Sequence, residues 1–344
     1  MKRTAALILV SLTAGAISVR AQTPAGAPVP VTVENFVRAE SDLYFTNVAV
    51  KEGALGKFLH HREMEPVEKQ LVIRSNRDTL YSVGVFDLAA GPVTVTLPDS
   101  SKRYMSLMTT DEDQYTRPTI YNAGSYTFAR KQIGTRYVLL AIRVLADPKD
   151  PDDLKKAHAL QDAVKVSQPG GPGKFEVPNW DPASQKKVRD ALLVLASTVK
   201  DTSRAFGMKG EVDPVLRVIG AASAWGAQPP KDAIYLNVVP AKNEGSTVYT
   251  LSMQEVPVDA FWSVSVYNEK GYYEKNPYDA YTLNNVTAKK SADGSIVIQF
   301  GGCDGKTPNC LPTMKGWNYM VRLYRPRAEI LSGKWHFPEA KPAS

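Results

Sequence analysis

Apolar and polar positions alternate in two separate parts of the chain and follow helical spacing between them. From Leu71 to Val144 the short runs LYSVGVFDL, PVTVTLP, RYMSLMT, SYTFA and RYVLLAIRVL are divided by turn material such as AAGP, PDSSK and NAG. Strands at this spacing without intervening helices predict an antiparallel sandwich or jelly roll rather than a parallel sheet. In the first run Leu80, Ser82, Gly84 and Phe86 share one side, and Tyr81, Val83 and Val85 the other. The period then changes. Asp150–Pro151, Asp181–Pro182 and Asp213–Pro214 each set a capping carboxylate before a proline at the first helical position, which predicts three helices with sharp starts. From Ile234 the β pattern returns in IYLNVVP, STVYTLSMQEV, FWSVSVYNE, YTLNN, SIVIQF and NYMVRLYRP.

Ahead of the first β region, Thr32 can cap a helix whose Val33, Phe36, Val37, Leu43 and Tyr44 fall on one face. Glu40 shares that face, either at its edge, reaching solvent, or held buried by a partner; the edge is favoured because unpaired buried acids are rare. The expected fold is mainly β with a helical insert, in two jelly-roll-like antiparallel β-sandwich domains. Residues 32–148 carry the helix and first β domain, 149–230 the insert, and 231–344 the second β domain.

The first residues address the compartment. Lys2 and Arg3 precede the apolar run Ala5–Val10, and Val19–Ala21 offers the small residues of a cleavage site. This reads as a secretory signal over residues 1–21, followed by a flexible Pro/Ala lead over 22–31. No later run approaches the ~20 apolar residues of a membrane helix, so the mature protein is expected to be periplasmic or secreted, without a membrane span. The formal charge of +7 falls to +4 once Lys2, Arg3 and Arg20 are removed. The remaining basic residues are scattered rather than gathered in a stripe, which argues against a nucleic-acid partner. The two cysteines, Cys303 and Cys310, lie in the loop GGCDGKTPNCLP. In an oxidising compartment they are most simply a disulfide; a zinc site is the rival, but needs two more ligands.

Candidate chemistry gathers at strand ends. Arg74, Asn76, Arg77 and Asp78 stand immediately before Tyr81, and TTDEDQYTRPTIY supplies Asp111, Glu112, Asp113, Tyr115, Arg117 and Tyr121. If neighbouring strands pair antiparallel, both groups reach one rim of the first sandwich. The arrangement reads either as a charge network closing the sandwich end or as a polar pocket. In the pocket reading Asp78 and Asp111 are acid/base candidates, Tyr81 and Tyr115 stack or donate a proton, and Asn76, Arg77 and Arg117 hold a substrate. FLHHREMEP adds His60 and His61, one of which could join as a ligand to a divalent metal; the alternative is an exposed polar connection. There is no Gly-x-Ser-x-Gly elbow, GGPGKF lacks phosphate-loop spacing, and no dinucleotide fingerprint appears. No nucleotide or NAD cofactor is therefore expected, and hydrolysis is the reaction class to test.

VIRSNRDTLYSVGVFDLAAGPVTVTLPD, followed by RYMSLMTTDEDQY, resembles the domain of unknown function 1254. FWSVSVYNEKGYYEKNPYDAYTLNN with DGSIVIQFGG, NCLP, RLYRP and GKWHFP is similar to the domain of unknown function 1214. The resemblance implies two β-rich, jelly-roll-like domains, frequent homo-oligomers and exported or envelope-associated members. It places Asn76, Asp78, Thr79 and Tyr81 at the first characteristic motif, with Asp111 next in line. Their C-terminal counterpart is Tyr267, Asn276, Tyr281, Arg322 and Tyr324. The function expected is binding or hydrolysis of a small polar or carbohydrate-like molecule at the rim of the first sandwich. The alternative is a noncatalytic envelope module that binds polysaccharide or a partner protein.

Overall fold

The computed structural model describes residues 26–70 and 73–343. The expected signal segment and its cleavage site lie outside them. The first sandwich has two sheets. One has the order β1-β2-β6-β4 (Leu59–His60, Thr79–Asp87, Tyr137–Leu145, Met105–Asp111) and the other β5-β3-β7 (Gly124–Phe128, Val93–Leu97, Lys165–Ser167). The alternation read from the sequence holds. Leu80, Phe86, Val138, Leu140, Ile142, Val144, Met105 and Leu107 face inward and join Val93, Val95 and Leu97 in one apolar core.

The second sandwich repeats the plan. The order β11-β10-β14-β8 (Thr282–Asn284, Trp262–Tyr267, Asn318–Tyr324, Ala233–Val238) faces β13-β12-β9-β15 (Cys310–Leu311, Ile296–Phe300, Tyr249–Met253, Lys341–Pro342). All pairs are antiparallel except β12 with β13. Trp262, Val264, Val266, Tyr319, Val321 and Leu323 point inward against Leu251, Ile298, Phe300 and Trp317.

The helices are α1 (Phe36–Thr46), the single turn α2 (Arg130–Ile133), α3 (Pro151–Asp162), α4 (Pro182–Ala196), α5 (Pro214–Ala224) and the single turn α6 (Ala328–Leu331). Asp150, Asp181 and Asp213 each accept hydrogen bonds from two backbone N–H groups of the first turn, with proline at its head. These are the three starts expected from the Asp-Pro pairs. The first helix differs from expectation. It begins at Phe36, not after Thr32, and the Asn35 side chain instead accepts from the Thr32 N–H at 2.8 Å. Val29 bridges Trp180 and Val31 is buried, so the described end of the expected lead is tied to the helical layer. Glu40 is not at an edge: it is 2% exposed and grips Arg189 at 2.8 and 2.5 Å, with Gln185 at 2.9 Å. Helical spacing alone could not show that α4 brings a guanidinium over that face.

Cys303, in the loop after β12, and Cys310, the first residue of β13, form a disulfide across seven positions.

Candidate functional site

Antiparallel sheets usually keep one face apolar and one face wet. Here the outward face of β2-β6-β4 is apolar where Val85, Leu139 and Ala141 pack on Phe45 and polar at its Tyr81–Arg143–Ser106 end, and that end meets the polar outward face of β11-β10-β14-β8. Tyr81, Arg143 and Ser106 lie in register across the first sheet. Asn284, Ser263, Arg322 and Tyr235 lie in register across the second. Asp78, Ser106, Ser263 and Ser265 have no exposure, and Arg322 has 2%.

The turn ahead of β2 locks the two sheets together. Asn76 Oδ1 accepts from the Asp78 N–H at 2.8 Å, and its Nδ2 reaches Thr79 Oγ1, the Tyr81 hydroxyl and the Tyr324 hydroxyl at 3.1–3.2 Å. Asp78 Oδ1 accepts from Thr282 Oγ1 at 3.2 Å and Asn284 Nδ2 at 3.1 Å, while Oδ2 is buried without a partner. Arg322 donates to the carbonyls of Arg74 (2.7 Å) and Ser75 (3.1 Å), to Ser265 Oγ and to the Tyr267 hydroxyl. The hydroxyls of Tyr267 and Tyr273 both donate to the Ser75 carbonyl at 2.9 Å. Arg77 stacks over Tyr281 and Tyr273 at 5.3 and 6.0 Å and donates to the Glu65 carbonyl. Of the C-terminal motif residues, Asn276 instead serves its own loop, bonding to Ala280 and Tyr278.

Beside this lock sits Arg143, on the outward face of β6. Its Nε donates to the Tyr81 hydroxyl at 3.3 Å and its Nη1 points to the Met108 sulfur at 3.7 Å. Its Nη2 makes no hydrogen bond to a described residue, and the guanidinium packs over the Tyr81 ring at 5.3 Å. The groups that act most strongly on its charge are the phenols of Tyr81, Tyr235, Tyr104 and Tyr324. No carboxylate lies within ion-pair distance of it among the described residues. Asn76, Tyr81 and Tyr235 are only half-buried, so the layer is reachable beside them. Around it, Ser263 Oγ is buried without a partner, and the Tyr104 hydroxyl, Ser106 Oγ and the Gln228 amide are buried with no partner beyond the weak contacts of Tyr104 with Ser106 and Gln228.

Electrostatics follow from this placement. Burial alone would push the Tyr81 phenol up, but the adjacent Arg143 charge and hydrogen bonds from Arg143 and Asn76 bring it below its ordinary value. Tyr81 accepts from both donors, with the Thr79 hydroxyl also in contact with it. Burial pushes Tyr104 up to about 12, keeping it a neutral donor.

Asp111 is elsewhere. Strand β6 lies between β2 and β4, so β4 runs parallel to β2 and its end pairs through Val138 with Phe86. Asp78 precedes Phe86 by eight residues, roughly 25 Å of strand. The expectation that both clusters share one rim is therefore corrected: it assumed that successive strands are neighbours. Asp111 closes its own turn, accepting from the N–H groups of Asp113 and Tyr115 at 2.9 Å, and burial raises it to about 6. Tyr115 lies under Arg217 at 4.8 Å. The Arg117 guanidinium donates to the Ile133 carbonyl, and its N–H to Thr109 Oγ1. Near this end Asp42, 1% exposed, accepts from Trp180 Nε1 at 2.8 Å. Burial and the neighbouring Glu112 raise it to about 7 against the hydrogen bond from Trp180.

His60 Nδ1 meets Ser82 Oγ at 2.7 Å, and His61 Nε2 lies 3.4 Å from Glu52. The described residues contain no group of three His, Cys, Asp or Glu side chains able to hold a metal, so neither histidine has companions for the metal role considered from the sequence. No helix among the described residues is long and apolar enough to cross a membrane.

Arg143, Ser106, Gln228 and Ser263 were not singled out by spacing. The signal for Arg143 was present: it interrupts the apolar run YVLLAIRVL on the side that carries Tyr137, Leu139 and Ala141.

Residues 55–168 match the family described as "Protein of unknown function (DUF1254)", and residues 239–328 match "Protein of unknown function (DUF1214)". The chain is similar in fold to the VPA0106 protein from Vibrio parahaemolyticus, with a TM-score of 0.70 and 20% identity over 91% of this chain and 98% of that one. It is also similar to a putative uncharacterized protein from Burkholderia cenocepacia, with a TM-score of 0.50 and 11% identity over 90% and 87%. No curated protein matches the chain.

Proposed function

In a chain that carries a domain of unknown function 1254 followed by a domain of unknown function 1214, we propose that the seam between the two sandwiches binds a small polar molecule. The binding position moves from the rim expected earlier to the outward faces where both motifs meet. One observation carries this reading: Arg143 is buried among phenols with a guanidinium nitrogen that makes no hydrogen bond to a described residue and no carboxylate beside it. An uncompensated buried charge costs several kcal/mol, and buried polar groups without partners call for water or a ligand. Arg143 anchors the molecule, Tyr104, Ser106 and Gln228 orient it, and Tyr81 supplies or takes a proton if turnover occurs. Asp78 acts chiefly through its grip on Thr282 and Asn284 and so positions the site. Asp111, far along the sheet, stands outside this site.

The protein is further proposed to work after export. The basic-then-apolar pattern of residues 1–21, which reads as a secretory leader, supports this, as does the disulfide, a bond that persists in oxidising compartments.

The test is a thermal-shift screen of small polar metabolites and saccharides on wild type and Tyr81→Phe, followed by a hydrolase substrate panel. A ligand that stabilises wild type, with turnover or proton uptake lost in Tyr81→Phe, is the expected result. A ligand whose binding is untouched by substitutions at Tyr81 and Tyr104, but lost on changes to the surface loops of the second sandwich, would overturn the seam reading and favour the envelope-module alternative.

A further inference from the structure

Resting on the seam as the binding position, we infer that the molecule is a polyhydroxylated carboxylate, a sugar acid, with its carboxylate on Arg143. The argument begins with charge. Arg143 and Arg322 are both buried in one layer, but they are served differently. Arg322 spends its donors on two carbonyls, a serine and a tyrosine, and Asp78 is among the groups acting on its charge. Arg143 has one phenol oxygen, one weak sulfur acceptor, the face of the Tyr81 ring at 5.3 Å and one guanidinium nitrogen without a hydrogen bond to a described residue. A guanidinium in low-dielectric surroundings takes a planar oxyanion through parallel N–H groups, and none is supplied by the described residues. Asp232, the other carboxylate at the edge of the layer, is held by the Tyr121 hydroxyl at 2.7 Å.

The second observation concerns what surrounds that position. Ser106, 0% exposed, stands next to Arg143 in register, and Ser263, also 0% exposed, stands opposite between Arg322 and Asn284. The Tyr104 and Gln228 side chains, 8% and 2% exposed, and Asp78 Oδ2 complete a set of buried donors and acceptors whose only protein partners are the weak contacts of Tyr104 with Ser106 and Gln228. A simple anion such as acetate would satisfy Arg143 and leave these groups unpaired. A neutral sugar would do the reverse. A carboxylate on a chain or ring of hydroxyls satisfies both, since a hydroxyl donates to Asp78 Oδ2 or the Gln228 carbonyl and accepts from serine, tyrosine or the Gln228 amide. The half-buried Tyr81 and Tyr235 rings give apolar surface for the C–H face of such a molecule.

Calorimetric titration of the full chain with D-galacturonate, D-glucuronate and D-gluconate tests this, with D-galactose, methyl galacturonate and acetate as controls. At least one of the three acids is expected to bind at least tenfold more tightly than D-galactose, the neutral ester and acetate. Arg143→Met should lose at least tenfold, Arg143→Lys less, and Ser263→Ala should narrow the margin over acetate. The ester comparison needs no variant, so it stands even if Arg143→Met fails to fold. Equal binding of galactose or the ester would overturn the carboxylate assignment while leaving the seam as a binding site. Failure of all three acids with binding of another class, lost in Tyr81→Phe, would do the same. Failure of every compound to bind would overturn both.

Discussion

Asp78 offers the sharpest test of how the two sandwiches are joined. Its Oδ1 accepts from Thr282 Oγ1 and Asn284 Nδ2, both across the seam, and Asn284 is 2% exposed. Thr282 Oγ1 already accepts from Ser265 Oγ, so its proton has Asp78 as its acceptor. Asp78→Ala removes that acceptor and leaves a buried amide N–H and a hydroxyl unpaired. At about 1–3 kcal/mol for each buried group left unsatisfied, offset in part because a buried charge is no longer desolvated, the net loss is about 3 kcal/mol. For a chain of this size that is roughly 4–5 °C in Tm. Asp78→Asn keeps an oxygen where both donors converge and should cost only about 1 kcal/mol. Urea unfolding followed by tryptophan fluorescence gives both values. Asn284→Ala combined with Asp78→Ala should cost less than the sum of the two, because the groups share one interaction. The reasoning is refuted if Asp78→Ala stays within 1 kcal/mol of wild type, or if Asp78→Asn is as damaging as alanine.

Three further outcomes follow from other parts of the chain. Arg189→Ala leaves Glu40 buried beside Gln185 without its cation and should cost about 3–5 kcal/mol, read as a lowered urea midpoint; Glu40→Gln with Arg189→Met should recover much of it. Asp42 has its folded value raised from 3.8 to about 7, so its stabilising contribution is full below pH 4 and is lost as pH rises through 7. Asp42→Asn should therefore flatten the decline in Tm between pH 4 and 8 and leave the variant the more stable protein at pH 8. Removing the Cys303–Cys310 bridge by a double change to serine should lower stability by about 2 kcal/mol, because a loop of this length restricts the unfolded chain only modestly; reduction by dithiothreitol should give the same shift.

Much of this fold could be read from periodicity because each sandwich obeys the rule that one side of a strand is apolar. Alternation alone puts Leu80 and Phe86 on one side of the strand and Tyr81 on the other, and the Asp-Pro pairs mark three helix starts, because both signals are local. What remained hidden was set by long-range pairing. The insertion of β6 between β2 and β4 separates Asp78 from Asp111, and nothing within either motif encodes the order of strands. Likewise, Asn76 and Asp78 were legible as a functional group, but their partners Tyr324, Thr282 and Asn284 lie more than 200 positions away. Glu40 shows the same limit: its face was correct, and its partner came from another helix. Arg143 was overlooked because a lone arginine in an apolar strand reads as an interruption. Only the second sandwich, laid over it, turns that interruption into a buried charge.

That buried charge can be probed without knowing the natural ligand. Crystals soaked in concentrated sodium bromide report halide positions by anomalous scattering, and bromide seeks an accessible, uncompensated guanidinium. A bromide seated against Arg143 Nη2, between the Tyr81 and Tyr235 hydroxyls, is the result expected here. A guanidinium paired with a carboxylate of the protein itself, with bromide ordered elsewhere and none at Arg143, would contradict it.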